Sequence, residues 1–214
     1  MAKEPILLVS FYNPKAMGVR YLEKSLKMAG YPVYIIFLKA FNSKNPGNVT
    51  EHELELVNGV IRQVKPGIIG LSVMSTLYLE TVYLVNRYIK RHFDIPILWG
   101  GVYPTLFPEK CLEHADFVIR GEGEKAIVEF ADEFFGNAAY GRAGYESTSI
   151  GESDYANANY ENGGCGNYGY ENSGYEKASY GYKNYENVKN LVYRKAADRY
   201  DDAVVVNDIR LLCQ

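Results

Sequence analysis

Cysteine is scarce: Cys111, Cys165 and Cys213 are the only three in 214 residues, and no two stand at CxxC spacing. So scattered and odd a set argues against a disulfide framework, a zinc finger or a CxxxCxxC iron–sulfur site. A reducing, cytoplasmic setting is the matching expectation. Positive charge is not in surplus either. Lys and Arg number 23 against 26 Asp and Glu, a formal net charge of −3, which speaks against a nucleic-acid partner. No apolar run approaches the roughly 18 residues a membrane span needs. Residues 1–5 lead straight into the short run Ile6 to Val9, too brief for a secretory signal. Neither GxxxxGK[ST] nor GxGxxG occurs where a phosphate loop would need it. The three histidines, His52, His92 and His114, all fall within or at the ends of helical patterns.

What is present over residues 1–135 is a regular alternation of apolar runs and amphipathic stretches. Ile6 to Phe11 reads as a buried strand, followed by Val19, Leu22, Leu26 and Ala29 at helical spacing and a stop at Gly30. Val33 to Leu38 is the second strand. Thr50 and Glu53 form a capping-box pattern ahead of Leu54, Val57, Ile61 and Val64, with Pro66-Gly67 ending that helix. Ile68 to Val73, Ile95 to Trp99 and Phe117 to Ile119 are the third to fifth strands. Leu79, Val82, Val85 and Ile89 mark a helix, Pro108 to His114 a short one, and Ile127, Phe130, Ala131 and Phe134 another. Continuous apolar strands each followed by a helix imply an α/β fold, with a parallel sheet covered on both faces. Right-handed crossovers then give a doubly wound five-stranded sheet in the order 2-1-3-4-5. Ligands of such sheets sit at the carboxyl ends of the strands, here after strands 1, 3 and 4.

Residues 136–187 lose this periodicity and are built from Tyr, Gly, Asn, Glu, Ser and Ala. Too few aliphatic side chains remain to offset the entropy of ordering, so a low-complexity insertion is expected there. Residues 188–214 recover pattern: Val188 to Arg194 and Ala203 to Asn207 read as a hairpin.

Four loops are candidates for the site. Asn13 to Gly18 opens the first helix, with Asn13 or a neighbour able to cap it and Gly18 permitting close approach. Ser72, Val73, Met74, Ser75 and Thr76 bring three hydroxyls to a helix start, as helix caps or as donors to a polar ligand. Gly100-Gly101, followed by Val102, Tyr103, Pro104 and Thr105, ends a buried strand, where glycine is costly unless a backbone must bend or a ligand lie close. Gly121, Glu122, Gly123 and Glu124 offer a tight turn with acids suited to a helix N-terminus, and two acids would repel phosphate.

Taken together these loops resemble cobalamin-binding domains, whose pattern is DxHxxG after the first strand, SxL after the third and GG after the fourth. The three places read Asn13 to Gly18, Ser72-Val73-Met74 and Gly100-Gly101, with 53 residues between Gly18 and Ser72 and 25 between Met74 and Gly100. The branch that stands in front of radical-SAM catalytic domains is the most similar. There a GG with a following Pro-Thr precedes a run like Asp116-Phe117-Val118-Ile119-Arg120-Gly121-Glu122-Gly123-Glu124. The resemblance covers 1–135 well, 188–210 loosely and 136–187 not at all.

The resemblance implies a flavodoxin-like domain holding cobalamin, as the B12 module of a radical-SAM-type methyltransferase or cyclase system. It places the corrinoid against Asn13, Lys15, Met17, Gly18, Ser72, Val73, Met74, Ser75, Gly100, Gly101, Val102, Tyr103, Pro104, Thr105, Gly121, Glu122, Gly123 and Glu124. Lys15 stands where the family carries its lower-ligand histidine, and a lysine ammonium has no lone pair for cobalt. Asn13 replaces the Asp of the usual Asp–His relay. Cobalt would therefore be held by the corrin, with no metal ligand from the protein. No radical-SAM CxxxCxxC occurs, so the chain is expected to contain no iron–sulfur cluster and to lack turnover of its own. It would act as a corrinoid carrier, as a subunit serving a separate radical-SAM catalytic protein, or as a truncated product. Three other readings compete. A signalling receiver lacks its acidic residues at Phe11-Tyr12-Asn13 and Ser72-Val73. A flavin or nucleotide binder lacks its glycine fingerprint. A non-catalytic interaction protein would work through the Tyr-rich segment.

Overall fold

The structure is a computed structural model that describes residues 3–40, 47–136, 185–195 and 203–210. The low-complexity reading of 136–187 falls almost wholly outside these residues. Strands β1 (Ile6–Phe11), β2 (Val33–Leu38), β3 (Ile68–Ser72), β4 (Ile97–Gly100) and β5 (Phe117–Ile119) form a parallel sheet. The hairpin β6 (Leu191–Lys195) and β7 (Ala203–Val206) continues it antiparallel on β5, giving the order β2-β1-β3-β4-β5-β6-β7. The doubly wound, flavodoxin-like order expected for the five parallel strands is present, with the hairpin added at the edge.

Side-chain alternation along the strands divides the interior into two layers. Leu7, Val9, Ile69, Leu71, Ile97, Trp99 and Val118 face helices α2 (Glu51–Val64) and α3 (Leu79–His92), meeting Val57, Ile61, Val82, Val85 and Ile89. Ile6, Leu8, Ile68, Leu98, Phe117 and Ile119 face α1 (Met17–Met28), and with it the last helix, Glu124–Gly136, meeting Val19, Leu26, Ile127, Phe130 and Phe134. Each such fully buried aliphatic or aromatic side chain contributes roughly 1.5–3 kcal/mol. On the α2/α3 side the Trp99 indole N–H donates to the Asn86 amide oxygen at 3.0 Å, and the Asn86 amide nitrogen donates to the His114 carbonyl at 3.0 Å.

Local signals are met in most places. Thr50 and Glu53 close both arms of the capping box on α2. Elsewhere the structure corrects the reading. Asn13 does not cap α1: Ala16 holds the cap position, and Asn13 Oδ1 accepts from the Lys15 amide at 3.0 Å, an Asx-type turn. Lys65 takes the left-handed turn that ends α2, at φ 51°, one residue before Pro66. The short helix expected at Pro108 to His114 is α5 (Pro108–Cys111), and it is preceded by one that was not expected, α4 (Val102–Leu106), whose first turn accommodates Pro104. The helix Glu124–Gly136 is α6.

Candidate functional site

At the carboxyl ends of the strands, on the α1/α6 side, two register rows cross the sheet. The deeper is Leu8–Gly70–Leu98–Phe117; the outer is Ser10–Ser72–Gly100–Ile119. Glycine in each row removes a side chain from this face: Gly70 makes room for Leu8, whose Cδ2 would stand 2.8 Å from a Cβ there, Gly100 leaves its position open, and a cleft of about 430 Å³ opens above the rows. Gly18, Val19 and Leu22 of α1 form one wall, and Glu124 and Ile127 of α6 another. Met74, Gly101, Val102, Thr105 and Leu106 border it on the β3 and β4 loops, and Gly121, Glu122 and Gly123 on the β5 loop.

The paired glycines have different physical reasons. Gly101 lies at φ +116°, and a Cβ there would stand 2.7 Å from the Val73 carbonyl oxygen. That carbonyl also accepts from the Tyr103 amide at 3.1 Å, so Gly101 is needed to turn the chain into α4. Gly100 has no such need. A Cβ there would find its nearest neighbour, the Ile119 carbonyl oxygen, at 4.0 Å; the bare position serves the cleft.

The rim is held by hydrogen bonds. The Thr105 hydroxyl donates to the Gly101 carbonyl at 2.7 Å and accepts from the Gly121 amide at 2.8 Å, joining the β4 and β5 loops. The loop after β1 is anchored by Tyr12, buried and at φ 55°. Its hydroxyl meets the Gly47 carbonyl at 2.5 Å and Thr81 Oγ1 at 2.6 Å, and its ring stacks on Tyr78 at 4.1 Å.

Of the residues picked from sequence, the structure brings Gly18, Ser72, Met74, Gly100, Gly101, Val102, Thr105, Gly121, Glu122, Gly123 and Glu124 to the cleft. Asn13 and Lys15 stand on the exposed β1–α1 loop and Met17 is exposed at the start of α1, all three outside its lining. Val73, Tyr103 and Pro104 are buried beneath the loops, and Ser75 accepts from the Leu77 amide at 3.1 Å, capping a short 3-10 turn. Sequence reasoning missed the apolar depth of the cleft: Leu8, Val19, Leu22, Gly70, Leu98, Ile119 and Ile127. Gly70, inside the apolar strand Ile68–Ser72, was the available signal, since glycine within a strand marks a close approach.

No histidine lines the cleft, and among the described residues no group of His, Cys, Asp or Glu could hold a metal ion. Cys111 is buried, and desolvation pushes its thiol up to about 12, which makes it inert at neutral pH. Asp116 accepts from the Ile97 amide at 2.7 Å and from the Lys90 ammonium; burial pushes its carboxyl above the ordinary range against the pull of Lys90. It ties β4 to α3. Among the described residues no helix is long and apolar enough to cross a membrane.

Fold and cleft together define a doubly wound domain with a largely apolar ligand site at its strand ends. A family model described as the B12 binding domain matches residues 4–131. The chain belongs to the B12-binding domain family, and cobalamin is the ligand which that membership assigns. The residues present fit such a group: the glycine-floored cleft admits a bulky substituent, and the exposed apolar side chains of Met74, Val102 and Leu106 at its mouth suit a flat macrocycle. Among solved structures the chain is similar to a cobalamin-binding protein from Desulfitobacterium hafniense DCB-2, at 16% identity and a TM-score of 0.45, over 59% of this chain and 56% of that one. It is also similar to the methanol:cobalamin methyltransferase complex of Methanosarcina barkeri, at 16% identity and a TM-score of 0.46, over 62% of this chain and 46% of that one. The chain thus spans about half the length of each. Comparison with curated proteins gives no match.

Proposed function

We propose that this chain is the corrinoid-holding module of a radical-SAM-type methyltransferase or cyclase system and carries out no turnover alone. The observation that carries the reading is the cleft over Gly70 and Gly100, walled by α1 and α6 and rimmed by Gly121 to Glu124. Leu8, Leu22, Leu98, Ile119 and Ile127 would hold the buried part of the cofactor by apolar contact. Ser72 and Met74 would flank it, and Asn13, Lys15 and Met17 would lie beneath the corrin edge. Cobalamin supplies the organometallic chemistry in such systems, and the protein supplies position.

Lys15 in place of histidine supports a cobalt without a protein nitrogen on its lower face. The radical-SAM context is supported by Gly100-Gly101 with Pro104-Thr105, and by the run Asp116 to Glu124. A separate catalytic protein would then cover the cofactor's upper face. Titration with hydroxocobalamin and methylcobalamin, followed by desalting, tests the reading. Retention near one equivalent is expected, with an absorbance spectrum free of an imidazole–cobalt bond. Complete loss of colour from a folded chain overturns it. Reconstitution of a radical-SAM catalytic protein that has no B12 module of its own tests the context, and no stimulation by the loaded chain would refute it.

A further inference from the structure

The family match ends at residue 131, yet the rim of the cleft is tied to a residue far beyond it. Asn190 is fully buried and lies at φ 70°, a left-handed conformation that asparagine tolerates better than most residues. Its side-chain nitrogen donates to the Glu122 carbonyl at 2.7 Å, and its own carbonyl accepts from the Arg120 amide at 2.9 Å. Its side-chain oxygen accepts from the Arg210 amide at 2.5 Å, and its amide donates to the Asp208 carbonyl at 2.9 Å. One residue thus grips both flanks of Gly121, Glu122 through its side chain and Arg120 through its backbone carbonyl, together with the segment that follows β7. From Gly121 the connection runs through the Thr105 hydroxyl to the Gly101 carbonyl at the cleft border.

We infer that Asn190 and Thr105 are positioning residues for the corrinoid, acting as two ends of one hydrogen-bonded tie that fixes the Gly121–Gly123 rim. The inference rests on the reading of the cleft as the corrinoid site. Gly121 is at φ +65° and its Cβ position meets nothing within 4 Å, so packing does not hold this turn. Hydrogen bonds must. A loose rim would let bound cofactor leave faster while the sheet stays intact.

Thr105→Val removes both hydroxyl bonds at nearly constant shape. Asn190→Asp keeps the oxygen that accepts from Arg210 and the tolerance for left-handed φ, but turns the donor to Glu122 into a second acceptor. Each is expected to speed release of hydroxocobalamin by about tenfold, the scale of one to two lost hydrogen bonds. Thr105→Ser should restore slow release. Val192→Ala thins the buried core of the same hairpin without touching the rim; it should lower Tm and leave release unchanged. Unchanged release in Thr105→Val and Asn190→Asp overturns the inference, and so does equal acceleration by Val192→Ala. Failure of the wild-type chain to retain cobalamin would instead sink the reading of the cleft. Amide hydrogen exchange at Gly121 then decides the tie: it should be slow in the wild type and faster in both variants, and exchange unaltered by either substitution refutes it.

Discussion

Gly100 and Gly101 are neighbours of the same type with separate duties. A side chain at Gly101 would strike the Val73 carbonyl oxygen, so substitution there strains the turn into α4. At Gly100 a side chain has room, and the room is the cleft. Gly100→Leu should fold with wild-type cooperativity and weaken cobalamin retention at least about tenfold, or about 1.4 kcal/mol. Equal retention by the variant and the parent would mean that the cofactor does not use this depth. His114 gives a second test at the same scale. Burial against Tyr83 and Trp99 holds its imidazole below the ordinary 6.5, with Arg87 pushing the same way and Glu113 opposing. A depressed folded-state value means that the unfolded chain binds the proton more readily. Stability is therefore lost as pH falls from 6.5 toward the folded-state value. Denaturant midpoints should drop as the pH is lowered through and below 6.5 in the wild type. The drop should be smaller in His114→Gln.

At the scale of elements, the sequence was most legible where local chemistry decides the outcome. Thr50 and Glu53 form the capping box they spell, so Thr50→Ala should cost about 1 kcal/mol in urea unfolding. Legibility failed where neighbours distant in sequence decide. Asn13 was available as a cap, but the chain turns at Asn13 and enters the helix only after Ala16, because Tyr12 is pinned by Gly47 and Thr81. The β1–β5 order followed from apolar runs and crossover handedness. The placement of the hairpin on β5 did not, since β6 pairs through Phe117↔Tyr193 and Ile119↔Leu191, contacts that no local pattern encodes.

For the whole molecule, the two faces of the sheet are unlike. The α2/α3 face is filled, with Trp99, Asn86 and His114 joined through hydrogen bonds and stacking. The α1/α6 face is opened at Gly100, with Gly70 letting Leu8 lie low against the sheet. Gly100-Gly101, Ser72 and the Gly-Glu-Gly-Glu run could be read in sequence because they carry type-specific reasons. The apolar walls could not, since Leu8, Leu22 and Ile127 look like ordinary core until two helices stop short of closing over the sheet. Asn190 was invisible for a related reason: its importance lies in four backbone and side-chain bonds made across the fold.

Trp99 is the only tryptophan in the chain, and it precedes Gly100 directly, one peptide unit from the cleft floor with its ring turned to the opposite face. The molecule therefore contains a single indole emitter, shielded from water and separated from the cleft by the thickness of one strand. Corrinoids absorb strongly where indole emits. Loading the cleft should extinguish Trp99 fluorescence without moving its emission maximum, because the ring's own surroundings stay fixed. Quenching that saturates near one equivalent, excited at the red edge where the 20 tyrosines stay dark, would report occupancy in real time; emission that stays bright through saturation would place the corrinoid elsewhere.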